Sequence, residues 1–151
     1  MVSTTRLRAE LKDLIKSPDG GISVSLSDNS NLYLWTANIQ APRGSLYEGT
    51  TFSLDIKIPN NYPFDPPESV QFVNPIPYHL NVGQSNGQVC LGLLKANQWD
   101  PSESCIKILL HAISVSLSEP QVDSYVDDDV NTTYHHKRSL YEERARRSVQ
   151  K

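Results

Sequence analysis

Phe52-Ser53-Leu54-Asp55-Ile56-Lys57-Ile58 alternates apolar and polar side chains without a break. A period of two is that of a strand with one buried face and one wet face. The same pattern recurs upstream, where Ile22, Val24 and Leu26 alternate with Ser23, Ser25 and Ser27. Between them, Leu32 to Ile39 is apolar and aromatic, with Tyr33 and Trp35. The links are short and polar or Gly-containing, Asp28-Asn29-Ser30-Asn31 and Ala41-Pro42-Arg43-Gly44. Strands joined this way predict an antiparallel meander, to which Ser69 to Val73 adds a fourth strand.

Helical spacing flanks the meander. Leu7, Leu11, Leu14 and Ile15 fall at i, i+4, i+7 and i+8 and share one face of an N-terminal helix, with Arg6, Arg8, Lys12 and Asp13 elsewhere. Pro18-Asp19-Gly20-Gly21 ends that helix in a turn. After the strands, six of the ten prolines lie between Pro59 and Pro77, interleaved with Tyr62, Phe64 and Phe72. That mixture predicts a rigid ordered loop in which an X-Pro bond can be cis. Residues 74–100 read as largely irregular, and long irregular stretches inside a domain are often functional.

A central helix is predicted from Asp100. Asp100 serves as the cap, Pro101 as the first helical residue and Glu103 as the capping-box acid. Ile106, Leu109, Leu110, Ile113 and Leu117 form its apolar face, and Glu119-Pro120 ends it. Asp127-Asp128-Asp129 suits the start of a short helix. His136 to Val149 reads as a last helix with Leu140, Tyr141 and Ala145 as its apolar contacts. The expected class is α+β, as a single domain over residues 1–151: a four-stranded antiparallel meander, an N-terminal helix, a central helix and two C-terminal helices.

The composition excludes several functions. Lys+Arg 14 against Asp+Glu 17 gives a net charge of −3, unlike a strongly basic nucleic-acid binder. No apolar run reaches the roughly 20 residues of a membrane span, and the start lacks a signal peptide's apolar core. Cys90 and Cys105 are too few for a disulfide scaffold or a four-ligand zinc site. Tyr134-His135-His136 lacks carboxylate or thiol partners for a metal. An intracellular protein with free thiols, without a metal of its own, is expected.

The chemistry is concentrated in Tyr78-His79-Leu80-Asn81-Val82-Gly83-Gln84-Ser85-Asn86-Gly87-Gln88-Val89-Cys90-Leu91. A thiol can form a thioester and a carboxamide can donate to an oxyanion. A lone cysteine is by default a small buried hydrophobe, a lone histidine a structural hydrogen-bonder, and Asn81 a turn residue. Four short motifs, in order, shift that balance: Tyr62-Pro63-Phe64-Asp65-Pro66-Pro67, His79-Leu80-Asn81, Gly87-Gln88-Val89-Cys90-Leu91 and Trp99-Asp100-Pro101. With them the chain resembles the ubiquitin-conjugating enzymes over essentially its whole length.

The resemblance implies the fold of that family and assigns roles. Cys90 matches the cysteine that accepts ubiquitin as a thioester from the activating enzyme, which itself uses ATP, so no cofactor is implied for this chain. Asn81 matches the asparagine assigned to oxyanion stabilisation or to ordering the active-site loop, and His79 a structural histidine. Phe64, Pro101 and Ser102 match loop positions that contact RING-type ligases. Arg6 matches a basic position used for the activating enzyme, with a solvated helix face as the alternative. In Glu119-Pro120-Gln121-Val122-Asp123-Ser124, Ser124 matches the gate near the thiol, with Asp123 beside it. Cys105 is expected to be a buried structural thiol.

The departures from the family pattern are specific. Leu80 replaces a proline, His79 and Cys90 stand eleven positions apart, Cys90 and Trp99 nine, and Gly92 occupies a position that is often acidic. Together with Glu119-Pro120 and Asp123-Ser124 they resemble the family's peroxisomal branch in yeasts. That branch modifies the cargo-import receptor, and a small membrane-anchored peroxin holds it on the cytosolic face of the peroxisome. Receptor recycling there is associated with a cysteine acceptor. A thiol (pKa near 8.5) starts about two units closer to neutrality than a lysine (near 10.4), so a site without an acid at position 92 handicaps thiols less. The alternatives are a general cytoplasmic conjugating enzyme restricted to thiol acceptors and a non-catalytic ubiquitin-binding variant.

Overall fold

A computed structural model describes residues 2–17, 20–95 and 97–150. Helix α1 (Val2–Lys16) leads into β1 (Ile22–Leu26), β2 (Leu34–Gln40), β3 (Thr51–Lys57) and β4 (Ser69–Asn74). A 3-10 turn (Gly92–Leu94) precedes α2 (Ile106–Ser118), α3 (Asp128–His136) and α4 (Arg138–Ser148). The sheet runs β1-β2-β3-β4, every pair antiparallel, which is the meander the alternation predicts. Trp35 opposes Ile56 and Ala37 opposes Leu54, so the buried positions of neighbouring strands fall on one face.

That face meets α2. Ile106, Leu109, Leu110, Ile113 and Leu117 are buried with Trp35, Ile39, Leu54, Ile56 and Phe72 in one apolar cluster. α1 lies against β1 and α2 and closes the same core with Leu7 and Leu14. A smaller cluster, Leu80, Val130 and Tyr141, joins the irregular segment to α3 and α4.

Five expectations shift. Ile15 is 55% exposed although its spacing put it on the apolar face; α1 buries a stripe narrow enough to exclude it. The central helix begins at Ile106, not near Asp100. The Asp100 carboxylate accepts instead from the Ser102 amide (2.9 Å) and hydroxyl (2.7 Å), closing a separate turn. Cys105 is then extended (φ −156°, ψ 172°) and half-buried, the residue before α2 rather than a fully buried thiol. Lys137 breaks the backbone (φ −141°, ψ 60°), so α4 starts at Arg138 and His136 closes α3. Leu32 and Tyr33 precede β2, where Asn31 takes the Tyr33 amide in a turn. Pro18 and Asp19, expected to end α1, lie outside the described residues. Tyr62-Pro63 and Asn74-Pro75 are the cis bonds of the proline-rich region.

Candidate active site

Cys90 is positioned by backbone bonds on two sides. On one, the 87–89 segment runs along the free edge of β4: Phe72 N–H donates to Gly87 O (2.8 Å) and Val89 N–H to Val70 O (2.9 Å). On the other, Cys90 N–H donates to Asn81 O and Gly83 N–H to Gln88 O, both at 2.8 Å. Gly87 makes this approach possible. Its φ is +75°, and a Cβ there would stand 2.2 Å from Phe72 O, so a side chain is excluded by conformation and by space. The half-buried Cys90 borders a groove lined by Pro67, Ser69, Val89, Leu94 and Lys95.

His79 is fully buried and both ring nitrogens are occupied by backbone. Nδ1 accepts the Asn81 N–H (2.9 Å), which leaves Nε2 protonated and donating to Ser116 O (2.6 Å). Burial pushes its pKa down to about 4, so the ring is neutral near pH 7. It has no free nitrogen with which to take a proton from a thiol.

Asn81 is 1% exposed, and its carboxamide holds the 119–124 loop. Nδ2 donates to Gln121 O (2.8 Å) and Ser124 O (2.9 Å), and Oδ1 accepts the Gln121 N–H (2.9 Å). Both amide hydrogens are thus engaged, and the geometry is that of a loop brace. Ser124 is buried beside Asn81, whereas Asp123 is exposed. Gln121 also sends its side chain back to the cysteine segment, where Oε1 accepts the Gly92 N–H at 2.9 Å. No local pattern in the sequence marks Gln121, since its importance arises from two segments about 30 residues apart meeting.

Leu80 makes a bond its proline counterpart has no hydrogen for. Its N–H donates to the Tyr141 hydroxyl (3.2 Å), which ties α4 to the segment between His79 and Asn81. Leu80 O accepts from Val126 N–H (3.2 Å), fastening the stretch that leads into α3 to the same residue.

Arg6, Phe64, Pro101 and Ser102 gather at a second location. Phe64 is 69% exposed and Ser102 is exposed. Trp99 Nε1–H donates to Pro63 O (2.7 Å) and so joins the two loops. The Arg6 guanidinium donates to Pro101 O and Ser104 O, both at 2.7 Å, and pairs with Glu10 at 3.0 Å. Glu10, which sequence reasoning passed over, also accepts from the Tyr62 hydroxyl (2.7 Å) and the Ile106 N–H (2.9 Å). It therefore caps α2 from another helix.

Among the described residues there is no cluster of three or more His, Cys, Asp or Glu able to hold a metal ion, and no helix long and apolar enough to cross a membrane. His135 and His136 are exposed at the end of α3.

A model of the family described as "Ubiquitin-conjugating enzyme" matches residues 6–149. The chain is 32% identical over 151 residues to ubiquitin conjugating enzyme E2 B of Dictyostelium discoideum, covering all of this chain and 98% of the relative. It is 34% identical over 154 residues to ubiquitin-conjugating enzyme E2 T of Xenopus laevis, covering all of this chain and 78% of that protein. Among solved structures, the E2 domain of a Toxoplasma gondii ubiquitin conjugating enzyme superposes with a TM-score of 0.84 at 31% identity, covering 97% of this chain and 95% of that one.

Proposed function

Since the chain belongs to the ubiquitin-conjugating enzyme family, transferases that work through a cysteine thioester, we propose that Cys90 carries the thioester. Such enzymes work with ubiquitin, an activating enzyme and a ligase. The Cys90 thiolate attacks the thioester on the activating enzyme, whose own thiolate leaves. An acceptor nucleophile then attacks the new carbonyl, the Cys90 thiolate departs, and the acceptor loses its proton to solvent. The observation that carries the reading is the double anchoring of the 87–90 segment beside a loop that Asn81 holds. In this scheme Asn81 acts by bracing the loop, and donation to an oxyanion requires one of its two carbonyl partners to be released. Ser124, backed by Asp123, is the gate residue of that loop. Phe64, Pro101 and Ser102 are the ligase-facing residues, and Arg6 serves the activating enzyme.

The finer assignment is to the peroxisomal branch, with the import receptor as substrate, a cysteine as acceptor and a membrane-anchored peroxin as docking partner. It is supported by Leu80, the two longer spacings and the non-acidic Gly92. A charging assay tests the chemistry. An adduct removed by a reducing agent, lost in Cys90→Ala and retained in Cys105→Ala, is expected. No adduct with ubiquitin or its relatives would favour a binding module. Pull-down with the peroxisomal anchor tests the branch; charging without anchor binding would favour the general thiol-restricted enzyme.

A further inference from the structure

Gln121 joins the two halves of the site. Its backbone is clasped by Asn81, which accepts its N–H (2.9 Å) and donates to its carbonyl (2.8 Å). Its side chain crosses to the cysteine segment, where Oε1 accepts the Gly92 N–H at 2.9 Å. Gly92 opens the 3-10 turn Gly92–Leu94, and Leu91, which precedes it, makes no side-chain capping bond. Amides at the start of a helical turn have no partner inside it, and here Gln121 supplies the missing acceptor. The approach is close: a Cβ on Gly92 would stand 3.1 Å from Gln98 Oε1 and 3.6 Å from Gln121 Oε1.

We propose that Gln121 is a positioning residue for the discharge step, a role that rests on Cys90 carrying the thioester. Its carboxamide oxygen fixes the Cys90–Gly92 segment against the 119–124 loop, so that the thioester carbonyl and the path of the incoming acceptor keep one geometry. The role does not need Gln121 to touch the reacting atoms. It acts through the Gly92 amide, and small misplacements at a reacting centre are expensive in rate. The contact uses Gln121 only as an acceptor. A carboxylate of the same length preserves it and a hydrocarbon of similar size abolishes it.

The test compares wild type, Gln121→Leu and Gln121→Glu in single-turnover discharge of preformed ubiquitin thioester to free cysteine at saturating acceptor. Charging by the activating enzyme and hydrogen exchange at the Gly92 amide are followed alongside. Gln121→Leu is expected to discharge at least about fivefold more slowly, the loss falling on discharge rather than charging, with faster exchange at Gly92. Gln121→Glu is expected to recover most of both. If Gln121→Leu unfolds, Gln121→Ala takes its place with the same expectations. Discharge unchanged in the Leu or Ala variant, or equally impaired in Gln121→Glu, overturns the inference while leaving the Cys90 reading intact. A wild type that takes up no ubiquitin overturns that reading and this inference with it.

Discussion

The loop beside Cys90 and the loop beside Arg6 are both irregular and both held by side chains that reach backbone groups, yet the holding chemistry differs. Residues 121–124 are tied by the neutral carboxamides of Asn81 and Gln121. Residues 99–104 are tied by a guanidinium and, through it, a carboxylate: Arg6 donates to Pro101 O and Ser104 O while Glu10 steadies Arg6 and Tyr62. Neutral amides match donors to acceptors one to one and add no net charge beside a carbonyl whose reaction depends on developing charge. The ionic brace is part-exposed and feels salt. Burial beside Glu10 also raises the Tyr62 phenol well above its ordinary pKa, so Tyr62 remains a donor throughout the useful pH range.

The contrast can be broken most sharply at Asn81. Asn81→Ala leaves the Gln121 N–H and two loop carbonyls without partners; we expect a loss of about 3 kcal/mol in urea unfolding and roughly a hundredfold slower discharge. Glu10→Ala is expected to lose about 2 kcal/mol in the same measurement, because the Ile106 amide and the Tyr62 hydroxyl are orphaned together. Salt should narrow the gap between Glu10→Ala and wild type while leaving that of Asn81→Ala unchanged.

pH sharpens the comparison further. The His79 pKa falls from an ordinary 6.5 to about 4 on folding, so between those values the unfolded chain binds the proton and the folded chain does not. Stability is therefore fully present above pH 6.5 and falls as pH drops towards 4. The His79 share is about 2 kcal/mol between pH 7 and pH 5, read as the difference in pH slope between wild type and His79→Gln. The smallest effect is expected for Tyr141→Phe, which keeps the ring and removes only the hydroxyl that accepts the Leu80 N–H. About 1 kcal/mol of stability should be lost, with faster amide exchange in α4.

The strands were legible because alternation such as Phe52-Ser53-Leu54-Asp55-Ile56 is a local property, and burial on one face follows from it directly. The His79-Leu80-Asn81 and Cys90 motifs were legible as a pattern of residue types. The start of α2 was misread because Asp100 satisfies Ser102 locally, while the Ile106 amide is capped by Glu10, 96 residues earlier in the chain. No local rule announces a cap supplied from another helix. Gln121 stood inside a stretch already singled out, but a carboxamide in a loop has no signature until its acceptor oxygen meets a particular amide.

By itself, then, the sequence determined the order of helices and strands, the side of each strand that turns inward and the residue types available for chemistry, because these depend on neighbours two to four positions apart. Only the tertiary structure decided that the Asn81 hydrogens are taken by the loop, that both His79 nitrogens face backbone, that Arg6 braces the Pro101 turn and that Gln121 spans to Gly92. Hydrogen bonds are short and directional, so which donor meets which acceptor is settled only when distant segments are brought within about 3 Å of each other.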